Sequence, residues 1–98
     1  MTKGKDVLIN AVENAIKKAN PTMLNLIKYY LRTNVKSDFS LAYEHPKKFK
    51  EILVNLLGEY STRLLEMIII KDVIVSLGLS NDFSSLEELV ETIKESGE

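Results

Sequence analysis

Val7, Leu8, Ala11, Val12, Ala15, Ile16 and Ala19 recur at the i, i+3, i+4, i+7 spacing that gathers side chains on one face of a helix. Asp6, Asn10, Glu13, Asn14, Lys17 and Lys18 take the other face. The two lysines fall in the last turn, where cations suit the carbonyl end of the helix dipole. This pattern predicts a first helix from about Lys5 to Ala19. Asn20-Pro21 then interrupts it. Proline disfavours helical geometry in the residue before it and suits the first turn of a new helix. Asn20 is therefore the expected N-cap of a second helix from Pro21 to about Thr33. Asn25, Lys28, Tyr29 and Arg32 form its polar stripe. Met23, Leu24, Leu26, Ile27, Tyr30 and Leu31 cover the rest, a width that predicts neighbours on two sides.

Periodicity weakens from Asn34 to His45. Val35, Phe39, Leu41 and Tyr43 anchor what is expected to be a connection with room for one short helical turn. Pro46 repeats the device seen at Pro21. A third helix is expected from Pro46 to Leu57, with Phe49, Ile52, Leu53, Leu56 and Leu57 inward and Gly58 as its stop.

The stretch from about Glu59 to Leu77 is apolar almost all round. Leu65, Ile69 and Val73 form one stripe, Leu64, Ile68 and Val75 a second, and Met67, Ile70 and Ile74 a third. A helix that is apolar on every side is expected to be buried on every side. The β-branched run from Ile68 to Val75 raises a strand alternative, but the length and the Leu77-Gly78 stop favour a helix. Ser80-Asn81-Asp82 marks a turn. Ser84 and Glu87 have capping-box spacing ahead of a fifth helix that runs to about Lys94, with Leu86, Leu89, Val90 and Ile93 on one face. The expected fold class is all-α: a bundle of about five helices around a central fourth helix.

At 98 residues the chain fits one domain, residues 1–98, with the helix at 84–95 an addition to its core. Asn10 and Glu13 interrupt the apolar run that a signal peptide needs, and no apolar run approaches a membrane span. A cytoplasmic protein with no membrane partner is expected. The net charge of −1 supplies no basic surplus for neutralising phosphates, so nucleic acid would have to meet a local patch. The absence of cysteine removes disulfides, thiolate catalysis and Cys-based zinc sites.

Little chemistry is left. His45 is the single histidine, with only Glu44, Asp38 and Glu51 near it in sequence, and it is expected to border the third helix rather than to bind metal. Glu87, Glu88, Glu91 and Glu95 read as a solvated helix face. No glycine belongs to a phosphate-cradling motif. Lys47, Lys48 and Lys50 make the densest basic cluster, at a helix start where the dipole disfavours cations. They are the candidate patch for an anionic partner, against a plainer reading as solvated lysines. No enzyme activity, cofactor or metal is expected.

The chain resembles the fifth of the small archaeal helical families called Nitrosopumilus output domains. The resemblance covers roughly Leu8 to Leu79. It rests on Glu13-Asn14-Ala15-Ile16, Ile27-Lys28-Tyr29-Tyr30-Leu31, the run His45 to Leu53 with its Pro-x-x-Phe start, Leu56-Leu57-Gly58, the run Leu65 to Val73, and Leu77-Gly78-Leu79. Met67 and Val75 depart from it, being apolar where polar residues are expected. The resemblance implies a signalling-output or interaction module with no catalytic residues to carry over. The functional expectation is a protein-interaction domain, and the third apolar stripe of the fourth helix, Met67, Ile70 and Ile74, is its expected homodimer or partner contact. Its rival is a central helix wrapped by the others, with no stripe left over. A small DNA-binding regulator using Lys47, Lys48 and Lys50 is the alternative function.

Overall fold

The computed structural model describes residues 3–80 and 82–96. Six helices are present among them: α1 (Lys3–Ala19), α2 (Pro21–Asn34), α3 (Leu41–Glu44), α4 (Pro46–Leu57), α5 (Glu59–Leu77) and α6 (Leu86–Glu95). No strand occurs in the described residues, and Ile68 to Val75 is helical throughout. The one helix beyond the five expected is the short turn α3, which falls inside the expected connection. Asn81, in the middle of the expected Ser80–Asp82 turn, lies outside the described residues.

The helix boundaries follow local chemistry. Asn20 Oδ1 accepts hydrogen bonds from the amides of Thr22 (3.1 Å) and Met23 (3.2 Å), satisfying two donors that the first turn of α2 would otherwise leave free. Asp38 Oδ1 accepts from the Ser40 amide at 2.8 Å and opens α3. Gly58 ends α4 and starts α5 with φ at +91°, a value that disfavours any residue with a Cβ. Gly78 closes α5 in the left-handed region.

The cap of α6 is displaced by one residue from its expected place. Ser85, not Ser84, is the N-cap, and its hydroxyl accepts from the Glu88 amide at 3.2 Å. Glu88 reaches back to the Ser84 amide and hydroxyl. Glu87 is thereby freed to turn toward α4. Both Ser-x-x-Glu pairs satisfy the motif; the docking of α6 selects between them.

One apolar core joins all six helices. α5 packs on α1, α4 and α6; α1 also holds α2 and α3, and α4 holds α3 and α6. Phe49 is fully buried, and its ring meets Phe39 edge to face at 6.1 Å, tying the α2–α3 connection to α4. The apolar face of α6 (Leu86, Leu89, Val90 and Ile93) is buried as expected, as are Leu65, Ile69 and Val73 of α5. Among the described residues, no helix is long and apolar enough to cross a membrane.

Candidate interaction surface

The long helix α5 is not enclosed on all sides, contrary to what its sequence predicts. Thr62, Leu65, Glu66, Ile69, Ile70 and Val73 face the core. At 100° per residue they occupy one side of the helix. The opposite side carries Tyr60, Leu64, Met67, Ile68, Lys71 and Val75, and it lies open. Tyr60 is 79% exposed, Val75 76%, Met67 53%, Ile68 52% and Leu64 45%. The residues that made the helix look wrapped are divided between a true core face and a wet apolar one.

The three residues expected to form an interface do not share a surface. Met67 stands in the open, Ile74 is partly buried and packed against the core, and Ile70 keeps only 6% of its surface. Ile70 lies toward the buried Glu66 on the wheel, and this turns it inward. The open face instead takes in the second stripe, Leu64, Ile68 and Val75, to which the sequence had assigned no role. One signal was available: Lys71 lies on that stripe, and an ammonium marks the solvent side.

Beside this face runs a half-open apolar groove of about 460 Å³. Leu64 and Ile68 form its α5 wall, and Met23 stands on the α2 side over a floor that includes Ile16 and Leu65. Beyond Ile68 the furrow continues between α1 and α5, where Asn14 and Lys18 face Lys71 and Val75. Asn20 places Met23 by capping α2, and Gly58 sets the direction in which α5 leaves α4.

The opposite face of α5 carries charge. Glu66 is 4% exposed, yet its carboxylate is fully engaged. Lys50 Nζ lies 2.7 Å from Oε2, the Leu86 amide donates to the same oxygen at 2.7 Å, and Arg63 Nη1 donates to Oε1 at 2.9 Å. Lys50 also meets Glu87 Oε1 at 2.8 Å, and Arg63 donates to the Ser84 carbonyl. Burial pushes the Glu66 pKa up, but the hydrogen bonds from Lys50, Leu86 and Arg63 outweigh it and hold the carboxyl below its ordinary value. Burial pulls Lys50 down, and its two carboxylate partners more than restore it, leaving its pKa raised. This cluster fastens α6 to α4 and α5.

The lysine cluster is therefore split. Lys50 turns inward to Glu66 and Glu87, leaving Lys47 and Lys48 exposed. Those two border a shallow cleft shared with Glu44, Glu51 and Glu87, whose carboxylates oppose a polyanion. His45 is exposed at the junction of α3 and α4 and makes no side-chain capping bond. Among the described residues, no group of three or more His, Asp or Glu side chains is placed to hold a metal ion.

A comparison with curated proteins yields no match. Among solved structures, the crystal structure of PH0832 from Pyrococcus horikoshii OT3 superposes with a TM-score of 0.88 at 42% sequence identity, covering 99% of this chain and 100% of that one. The profile of Nitrosopumilus output domain 5 matches residues 2–95, a span that extends the resemblance through α6. This chain belongs to the Nitrosopumilus output domain 5 family.

Proposed function

We propose that this domain is a non-enzymatic protein-interaction module that docks a protein partner through the open face of α5. The observation that carries this reading is the line of large apolar side chains, Tyr60, Leu64, Met67, Ile68 and Val75, left in water on a helix whose other side is fully packed. Scattered surface apolar residues need no explanation, but a contiguous row on one face marks association. Tyr60 to Val75 spans about 22 Å of helix at about 1.5 Å per residue. The groove beside it gives a partner side chain somewhere to insert. An output role agrees with the name of the family to which the chain belongs.

A photo-crosslinking residue at Met67, compared in cells with the same residue at exposed Glu91 on α6, tests the proposal. Position 67 is expected to give discrete protein adducts that Ile68→Lys abolishes, and position 91 is expected to give none. Equal labelling from both positions, or none from 67, would remove the α5 face as a docking surface.

A further inference from the structure

We propose that the cleft between α1, α2 and the loop of residues 37–40 binds a free α-amino acid with an apolar side chain. The cleft shares no residue with the open face of α5, so its failure would leave the docking role untouched. α1 and α2 fold back on each other at Asn20, which sets Lys28 against Glu13 at 3.7 Å. One turn farther from that corner, Ile9 and Arg32 line the cleft together. The loop closes the remaining side. Lys36 turns it with φ at +52°, the Ser37 amide donates to the Leu31 carbonyl at 3.0 Å, and Phe39 is buried. A left-handed residue with a Cβ persists only where its surroundings hold it, and such residues gather at ligand sites. The result is a half-open cleft of about 440 Å³, a volume that suits a small molecule.

Two opposite charges in this cleft go unanswered. Among the described residues, neither Arg32 on α2 nor Asp38 on the loop has an ion-pair partner, and the two do not reach each other. Asp38 is nonetheless fixed in place, because its Oδ1 accepts from the Ser40 amide at 2.8 Å. A molecule that carries a carboxylate and an ammonium group on one carbon answers both charges. The guanidinium fork of Arg32 matches the carboxylate, and Asp38 receives the ammonium. Ile9 and Phe39 offer apolar surface to the side chain. Other ligand classes meet a like charge here. A polyanion would face Glu13 and Asp38, and a polyamine would face Lys28 and Arg32. Contacts at the carboxylate, the ammonium and the side chain also distinguish mirror images, so one enantiomer is preferred.

An NMR titration of the full chain with L-leucine tests the site. D-leucine, 4-methylpentanoate (which lacks the ammonium) and 3-methylbutylamine (which lacks the carboxylate) serve as comparisons. L-leucine is expected to shift the amides of Ile9 and of residues 37–40 saturably in the millimolar range. Each truncated analogue is expected to bind about fivefold more weakly, the loss that follows from one exposed ion pair. Arg32→Gln and Asp38→Asn are expected to cost about as much. Both should fold, since Arg32 is exposed and unpaired and the asparagine keeps an oxygen for the Ser40 amide. No shift in those amides with leucine, valine, methionine or phenylalanine overturns the site. An analogue that binds as tightly as leucine, equal binding of the two enantiomers, or undiminished binding by either variant overturns the amino acid as its ligand.

Discussion

Lys50 and Glu66 meet at 2.7 Å across the contact between α4 and α5, where Glu66 keeps 4% of its surface. A buried carboxylate is tolerable only when its charge and its lone pairs are answered. Here a lysine, an arginine and a backbone amide answer them, and each comes from a different segment. Removing Glu66 would leave Lys50 with Glu87 as its one carboxylate partner and the Leu86 amide without its acceptor. Glu66→Ala is expected to destabilise the domain by about 3 kcal/mol, the scale found when one partner of a buried pair is lost. Urea denaturation at neutral pH measures it; a loss under about 1 kcal/mol would mean the cluster contributes little.

The same cluster sets a pH dependence. Glu66 has a folded pKa below its unfolded value near 4.5, so its stabilisation is complete above that value and disappears as pH falls through the lower folded pKa. Lys50 is raised above 10.5, so its contribution is present below that value and is lost as pH rises through the higher folded pKa. The stability difference between the native chain and Glu66→Gln is therefore expected to be flat from about pH 5 to pH 9 and to shrink in acid. A difference that grows on acidification would contradict the assignment of the low pKa to Glu66.

Two backbone positions make opposite predictions. Lys36 follows α2 with φ at +52°, a left-handed geometry that costs a residue with a Cβ about 1–2 kcal/mol. Lys36→Gly is expected to stabilise by roughly 0.5–1 kcal/mol, since the greater freedom of glycine in the unfolded chain offsets part of the relief. Gly58→Ala meets no atom within 4 Å but must hold φ at +91°, so it is expected to destabilise by about 1–2 kcal/mol through the backbone alone. Thermal denaturation of both variants should give shifts of opposite sign.

The cap of α6 gives a discriminating pair. Ser85→Ala removes the acceptor for the Glu88 amide and is expected to cost about 1 kcal/mol. Ser84→Ala removes only an exposed bond to Glu88 and should cost a few tenths of a kcal/mol. Equal effects would show that neither serine is the dominant cap.

Adjacent isoleucines on α5 should behave as residues of two different surfaces. Ile69→Ala opens a cavity in the core and is expected to cost about 2–5 kcal/mol. Ile68→Ala changes an exposed side chain and should stay within about 0.5 kcal/mol in the isolated subunit. Chemical denaturation at a concentration too low for association separates the two.

Local signals made most of the helical order legible. Pro21 after Asn20, Pro46, Gly58 and Gly78 each act within a turn of themselves, and α2, α4 and α5 start and stop close to where those residues predict. The apolar row of α6 and that of α1 from Leu8 to Ile16 also pointed inward as expected, because each has a polar side to contrast with it; Ala19, at the end of α1, is exposed. α5 offered no such contrast. Its apolar residues surround the axis, so periodicity established that it was a helix but not which side was covered. Ile70 and Ile68 are the same residue type two positions apart, and only the packing of α1, α4 and α6 around one side buries the first and leaves the second in water. The same holds for charge: Lys47, Lys48 and Lys50 are neighbours in sequence, but a carboxylate on another helix reaches only the last. Caps, turns and breakers are decided by atoms a few bonds apart and belong to the sequence; which face of a uniformly apolar helix stays open is decided by its neighbours and belongs to the fold.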